Sequence, residues 1–269
     1  MGWLLAILVG LTSLGLPLSL PLVATGQPAS DSQLPELQVH PLPPTLAAWN
    51  DAGEQPAGDY FDAVQPTELG YLVWSQLPVQ VYIQAAESDA RSQAWYAAVN
   101  QAMQDWIAYL PMTLITDPET ADIKILRAAP PMQPLKPSAD SPLGLSRIRA
   151  AETRYQFFKR QRANSTELIQ RFTTYLSPNQ TADYTQATAR HELGHALGIW
   201  GHSPLQTDAL YFSQVGRPTP ISARDIRTLR RIYQQPTRLG WAIPVNVASA
   251  QRATISDGLL FGSLQNLPI

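Results

Sequence analysis

The clearest helical pattern in the chain lies between residues 89 and 109. Its apolar side chains recur at spacings of three and four, which is typical of an amphipathic helix: Trp95, Ala98, Val99, Ala102, Trp106 and Tyr109. Ser88 precedes the segment as a candidate N-cap, and Pro111 ends it. The pattern therefore predicts a helix that packs one face against the core.

Four stretches of the chain have the character of β-strands. Residues 77–83 alternate between apolar and polar side chains, as a half-buried strand does. Residues 121–128 predict a second strand, and 149–158 and 167–177 predict two more. A proline-rich segment at 129–144 separates the second strand from the third and cannot be a central strand.

Two further helices are predicted in the second half of the chain. A Pro-Asn turn at 178–179 leads into a helix over about residues 180–198. Ser222 and Asp225 resemble a capping box at the start of a helix over 222–234. Its apolar residues repeat at helical spacing: Ile226, Leu229 and Tyr233.

The two ends of the chain lack such periodicity. Residues 1–26 carry no charge and end in small side chains, which favours a cleaved signal peptide, with an uncleaved membrane anchor as the alternative. Residues 27–66 are rich in Pro, Gln, Ser and Asp and predict a linker or short pro-segment. Residues 67–236 are then the folded domain and 237–269 a C-terminal tail. A secreted, periplasmic or otherwise extracytoplasmic protein is expected.

Composition narrows the chemistry that is open to the chain. It has 269 residues, a net charge of −2 and no cysteine. Disulfides, thiolate metal ligands and a thiol nucleophile are therefore excluded. No basic stripe or tail indicates nucleic acid as a partner. Any metal must be held by nitrogen and oxygen, so the distribution of histidine becomes informative.

Three of the four histidines lie within the stretch HELGHALGIWGHS, residues 191–203. On a helix His191 and His195 are one turn apart and about 40° apart around the axis, so their imidazoles can converge on one point. Glu192 lies about 100° from His191, where it is better aimed at a metal-bound water than at the metal itself. Apolar side chains occupy the opposite face, so the helix is expected to present its histidines outward from the core.

The residues after this helix can supply a third ligand. Gly198 suits a helix end because it tolerates a left-handed conformation, and a sharp turn there can bring His202 back toward the pair. Three neutral imidazoles and a water make the open tetrahedral site of a catalytic zinc, whereas a structural zinc more often has a fourth protein ligand. The remaining histidine, His40, lies in the proline-rich linker and predicts a solvated loop residue.

These residues resemble the metzincin zinc proteases, most of all the matrixin-like branch. The motif of that family is H-E-x-x-H-x-x-G-x-x-H, and four residues match it: His191, Glu192, His195 and Gly198. Residues 112–126 resemble the matrixin strand pair around an Asp-Pro turn, and 221–233 are similar to the closing helix of the family. The similarity covers about residues 70–235 and is most specific at 191–203.

The resemblance implies an α+β, zincin/metzincin-like fold with a twisted mixed β-sheet, a backing helix, an active-site helix and a C-terminal helix. It implies a zinc-dependent metalloendopeptidase in which His191, His195 and His202 hold one catalytic zinc. Glu192 would be the general base. The implied partner is a polypeptide substrate, which an edge strand within 149–158 could bind by strand addition. A membrane partner is expected only if the N-terminal segment stays uncleaved.

Two other interpretations of the sequence stay open. The domain could be a non-catalytic binding module on a protease-like scaffold, although the intact Glu192 argues against it. It could also be a structural zinc domain, with Asp208 as the nearest candidate for a fourth ligand. The sequence indicates neither a calcium site nor an oligomeric state.

The chain departs from the family pattern in three respects. The third histidine comes one residue late, at His202, where Gly201 could supply the flexibility that the shift needs. Leu210 stands where the family has a methionine below the metal, and Tyr211 is expected to pack there, with oxyanion stabilisation as the alternative. No histidine remains for a second, structural zinc site, and without cysteine a cysteine switch is impossible.

Overall fold

The computed structural model describes residues 34–51, 57–132, 149–213 and 219–244, together with a strand at 265–268. The expected signal peptide or anchor, most of the proline-rich excursion after the second strand and most of the C-terminal tail lie outside these ranges. Within them, no helix is both long and apolar enough to cross a membrane.

Four helices, one 3-10 turn and six strands make up the described part of the chain. In chain order they are α1 (Pro44–Ala48), a 3-10 helix (Phe61–Ala63), β1 (Val79–Ile83), α2 (Ala90–Ile107), β2 (Met112–Ile115), β3 (Ile123–Leu126), β4 (Ala151–Gln161), β5 (Thr166–Leu176), α3 (Ala182–Ala196), α4 (Ala223–Ile232) and β6 (Gln265–Pro268). The predicted helices and strands are present, with bounds that differ by a few residues.

The six strands form one mixed sheet in the order β2-β1-β3-β5-β4-β6. Strand β1 runs parallel to both β2 and β3, and β3 runs parallel to β5. Strand β4 is antiparallel to β5 and to β6, and a tight turn joins β4 to β5. A mostly parallel sheet with helices is compatible with the α+β class expected from the sequence.

The segment 112–126 contains two strands, but they are not paired with each other. Strand β1 lies between β2 and β3, and its Val81 is opposite Leu114 on one side and Ile123 on the other. Because β2 and β3 run in the same direction, the short Asp-Pro turn between them cannot close a hairpin. The two strands expected in this segment are therefore present, and β1 separates them in the sheet.

Helix α2 packs as its periodicity predicts, but its N-cap differs by one residue. Its buried residues follow the apolar spacing: Ser92, Trp95, Ala98, Val99, Ala102, Met103 and Trp106. Asp89, rather than Ser88, accepts a hydrogen bond from the Ser92 amide at 3.0 Å. The side chain of an N-cap residue bonds an amide two or three residues further along, and because this helix begins at Ala90, the N-cap position is 89.

Part of the predicted linker at 27–66 packs against the core. Helix α1 buries Leu46, and the region of the 3-10 helix buries Tyr60 and Val64. The Tyr60 hydroxyl also donates to Asp225 at 2.5 Å. These apolar residues are too widely spaced to show a helical or alternating pattern, so periodicity does not predict that the segment is packed.

His40 and the start of the predicted tail also pack together. His40 is half-buried, its Nε2 lies 2.8 Å from the Leu239 carbonyl oxygen, and its ring stacks on Trp241 with 4.2 Å between centroids. Thr237 and Leu239 are buried, and Thr237 bridges to Gln38. The expectation of a solvated His40 is wrong because the tail returns to cover it.

Candidate metal centre

Helix α3 carries two of the motif histidines, and neighbouring elements fix both its length and its orientation. The Trp106 indole of α2 donates to the Arg190 carbonyl at 2.8 Å, and the Trp74 indole donates to the Ala196 carbonyl at 2.9 Å. The Tyr233 hydroxyl donates to the Leu197 carbonyl at 3.0 Å. The carbonyls at the end of the helix therefore have partners, as a buried helix end requires.

His191, His195 and His202 converge at the carboxyl end of this helix. The Nε2 atoms of His191 and His195 are 3.0 Å apart. The ring of His202 lies 5.3 Å from that of His191 and 4.9 Å from that of His195, centroid to centroid. One ligand atom from each lies within 4.8 Å of the other two, so the three could hold a metal ion. The predicted turn back to His202 is present.

Backbone carbonyls determine which nitrogen of each helical histidine is free. The Nδ1 atom of His191 lies 2.8 Å from the Ala209 oxygen, and that of His195 lies 2.7 Å from the Ile199 oxygen. A carbonyl oxygen only accepts, so each Nδ1 must donate its proton. In the neutral rings both Nε2 atoms then carry lone pairs, and these two acceptors face each other.

Burial keeps all three rings neutral. It lowers the pKa of His191 to about 3, with a further contribution from His202 and an opposing one from the bond to Ala209. Burial lowers the pKa of His202 to about 4 and holds the pKa of His195 well below its usual range. A proton shared between the facing nitrogens would have to form an imidazolium in this environment, which the low pKa values oppose.

A shared cation would satisfy the three Nε2 atoms, for which the described residues supply no hydrogen-bond donor. The Nε2 atom of His202 is buried and has no hydrogen-bond partner. Zinc–imidazole distances of about 2.0–2.1 Å in a tetrahedron place two ligand nitrogens about 3.3 Å apart, close to the 3.0 Å between His191 and His195. Neutral imidazoles oriented by carbonyls through their other nitrogen are the usual form of metal-binding histidine. The residues therefore fit a divalent cation.

The histidines are more deeply buried than the helical projection suggests. His195 is fully buried and His191 is 5% exposed, whereas His202 is partly exposed. The sequence predicts histidines that face outward from the core. In the fold, Ala209 and Ile199, both beyond the helix, bond the rings of His191 and His195, and His202 is the most exposed of the three histidines.

Two glycines make the return to His202 possible. Gly198 has φ of +124°, and a Cβ there would lie 2.3 Å from the Leu72 carbonyl oxygen. Gly201 is close to the 3-10 helix, where a Cβ would lie 2.3 Å from the Ala63 carbonyl oxygen. The positive φ at Gly198 agrees with the sequence. Gly201 provides room for a backbone contact rather than the flexibility that the sequence suggests.

Replacing Gly201 by alanine is expected to weaken metal binding and to destabilise the fold by about 1–3 kcal/mol, because the added methyl group must displace backbone. Gly58→Ala is the control for metal content: its φ of +84° means that it should lose stability too, but its Cβ would meet only the flexible Arg224 guanidinium at 3.6 Å. Urea unfolding and metal content after dialysis measure both effects. Equal metal content in the two variants would contradict this role of Gly201.

Glu192 is buried between α3 and β4 with one of its two oxygens unpartnered. Its Oε2 accepts a hydrogen bond from the Thr153 hydroxyl. The hydroxyl oxygens of Thr153 and Thr174, on β5, are 2.9 Å apart. Its Oε1 is buried and has no partner. Burial raises the pKa of Glu192 to about 8, against the lowering effect of the bond from Thr153. The carboxylate is thus held in one orientation with one oxygen available to a further donor.

The floor of the site joins α4 to the histidines. Leu210 is fully buried, and a Cβ on Gly194 would lie 2.5 Å from its Cδ2, so the glycine of the motif makes room for this leucine. Asp225 accepts from the Ala209 amide at 2.9 Å, and Ala209 is the residue whose carbonyl orients His191. The predicted capping box of α4 is confirmed. Its Asp225 carboxylate also holds the backbone of Ala209, next to Leu210.

Neither Tyr211 nor Asp208 joins the cluster of histidines. Tyr211 is half-buried, and its ring lies 4.5 Å from that of Phe212, centroid to centroid. Asp208 is buried, accepts from the Ser203 hydroxyl and pairs with Arg224 at 3.0 Å. Within the described ranges, the group that could hold a metal consists of the three histidines, without Asp208.

The buried histidines predict a loss of stability in acid once metal is removed. The folded-state pKa values of His191 (about 3) and His202 (about 4) lie below their usual value of 6.5, so the unfolded chain binds more protons below pH 6.5. Their contribution is present above pH 6.5 and is lost as the pH falls toward 4. Each histidine lowers the free energy of unfolding by up to about 1.4 kcal/mol for every pH unit of this fall.

Urea unfolding in a chelator at several pH values tests this expectation. The Glu192→Gln variant is the right background, because the raised pKa of Glu192 has the opposite effect and removes stability as the pH rises from 4.5 to about 8. Adding His202→Ala to that background should make the free energy of unfolding depend less steeply on pH between 6.5 and 4. An unchanged slope would show that His202 is not buried as a neutral ring.

No protein-family model matches the chain, and no curated protein matches it either. The site is therefore interpreted from its own geometry. The structure brings together His191, His195 and His202, as predicted, and leaves His40 outside the group. The sequence did not reveal the contact of Thr153 with Glu192, since nothing in an alternating strand distinguishes one inward threonine from another.

Proposed function

We propose that the chain is a zinc-dependent metalloendopeptidase with a zincin/metzincin-like fold. The observation that carries the proposal is the combination of three convergent imidazoles with Glu192, which lies between two of them in sequence and has an unpartnered oxygen. Three neutral imidazoles without a fourth protein ligand are the donor set of a catalytic zinc rather than a structural one. Strand β4 is the last of the five strands that precede α3, so its outer side is the candidate edge for a substrate peptide, and β6 pairs with that side at residues 152–155.

The chemistry follows from the donors and from the buried carboxylate. When bound, zinc would polarise the scissile carbonyl and lower the pKa of the attacking water. Glu192 would accept the proton of that water at Oε1 and deliver it to the leaving amine nitrogen. A divalent charge nearby favours the ionised carboxylate, which opposes the raised pKa of Glu192. No covalent intermediate with the protein is needed.

Thr153 is proposed to orient the base. Its hydroxyl donates to Oε2 of Glu192 and leaves Oε1 for the water. It lies on β4, at the outer side of the five strands that precede α3. An extended polypeptide that pairs with β4 would therefore run past the residue that holds the base.

The two rival functions make different demands on the site. A structural zinc domain requires a fourth protein ligand, and Asp208 is instead paired with Arg224. A non-catalytic binding module has no use for a buried carboxylate that costs free energy to ionise, yet Glu192, which follows His191 in the chain, is fully buried. Both observations favour hydrolysis.

The proposal is tested by incubating the purified chain with a mixed peptide library and identifying new termini. We expect cleavage that stops on chelation and returns with zinc. A chain that retains one zinc and generates no new termini would be a binding module or a structural zinc domain. Cleavage that persists without metal would also contradict the proposal.

A further inference from the structure

The C-terminal segment of the chain forms the last strand of the sheet. Strand β6 pairs antiparallel with β4, with Pro268 opposite Glu152, Leu267 opposite Thr153, and Gln265 opposite Tyr155. Strand β4 is paired with β5 along its other side. The outer edge of β4 at residues 152–155 is therefore occupied by backbone from the same chain.

This occupied edge adjoins the candidate base. Thr153 is paired with Leu267 through the backbone, and its side chain bonds Glu192 of α3. A peptide that added a strand to β4 would use the same backbone groups of residues 152–155 that β6 uses. Two strands cannot pair with one edge at one position, so β6 and such a peptide exclude each other.

We propose that β6 competes with an extended polypeptide for the edge of β4 and thereby inhibits the chain from within. The inference rests on the proposed function, because it takes the edge beside Glu192 as the place where substrate pairs. The chain has no cysteine for a thiolate block of the metal, whereas a pairing strand needs no particular side chain. A segment tethered at millimolar effective concentration competes well even when its own affinity is weak.

The first test disrupts the pairing with two adjacent prolines, Gln265→Pro and Asn266→Pro. Successive amides of a strand point to opposite sides, so one of the two lost N–H groups is directed at β4. The matched control is Gln265→Ala with Asn266→Ala, which keeps both N–H groups. A second variant lacks residues 265–269 altogether.

We expect kcat/KM for peptide cleavage to rise about tenfold in the proline variant and in the truncated chain, through KM and with kcat unchanged. The alanine control should behave like the wild type. A rise confined to kcat, or no change in either variant, would overturn the inference.

Binding of a labelled peptide with the sequence of residues 261–269 gives a second measurement that does not depend on catalysis. Fluorescence anisotropy should show binding to the truncated chain and about tenfold weaker binding to the full chain and to the alanine control. Equal affinity for all of them would refute competition at β4. Selective binding by a truncated chain that holds zinc but cleaves nothing would support the competition and refute the proposed function, which separates the two failures.

Discussion

Replacing Glu192 by glutamine is expected to lower kcat for peptide cleavage by about a hundred- to ten-thousand-fold, which is the usual contribution of general acid–base catalysis. Glutamine keeps the volume of the buried side chain, but its amide cannot accept and carry the proton of the attacking water. The histidines are unaltered, so the zinc content should stay at the wild-type value. Peptide affinity should also persist, because it depends on the edge of β4.

Zinc per chain, peptide affinity and cleavage rate must be measured on the same preparation of this variant. Glu119→Gln is a matched control, since Glu119 is an exposed carboxylate in the turn between β2 and β3 that pairs with Lys124. It should cleave at the wild-type rate. If Glu192→Gln also holds zinc and cleaves at that rate, Glu192 is not the base.

The His202→Ala variant should lose most of its zinc on dialysis. Removing a residue that only supports a metal ligand typically lowers metal affinity by ~10- to 100-fold. The loss of zinc affinity in His202→Ala should be larger, because one of the three protein ligands is itself removed. His202 is the least buried of the three histidines, so its removal should disturb the core less than loss of His195 would. Far-UV circular dichroism establishes that the variant is folded.

His40→Ala is the control for His202→Ala. His40 bonds the Leu239 carbonyl and stacks on Trp241, away from the cluster of ligands, so its loss should cost stability but leave zinc content unchanged. Retention of the same zinc content in both variants would place the third ligand elsewhere. The one-residue shift of the histidine would then have been misinterpreted.

The sequence predicts the helices and the histidine cluster because both depend on local periodicity. The four-residue spacing of His191 and His195 brings the two rings together because the segment is helical. Gly198 predicts the turn at the end of this helix. The capping box at Ser222 likewise follows from four consecutive residues. The elements that such local patterns predict are present in the fold because the tertiary contacts stabilise the same conformations.

The parts of the fold that the sequence does not predict depend on contacts between distant residues. The order of β1, β2 and β3 depends on which parallel neighbours meet, and alternation within a strand carries no such information. The packing of Tyr60 on Asp225 joins residues 165 positions apart. The burial of the histidines likewise depends on residues outside the helix, among them Ala209, which bonds the His191 ring on a face that appears exposed when the helix is considered alone.

The same distinction applies within the site. The candidate metal ligands and the proposed base are visible in the motif, whereas the groups that orient them are not. Thr153 lies 39 positions from Glu192, and the carbonyl that orients His191 belongs to Ala209, whose identity as alanine is irrelevant to that role. Backbone groups have no signature in a sequence, so their contribution becomes visible only in the structure.

We propose that one zinc held by the three histidines makes this chain a peptidase. It is tested most directly by titrating the metal-free chain with zinc and measuring peptide cleavage at each step. The cleavage rate should rise in proportion to added zinc and reach a plateau at one zinc per chain. A chain that binds one zinc without gaining activity, or cleaves at full rate without zinc, would not be a zinc peptidase of this kind.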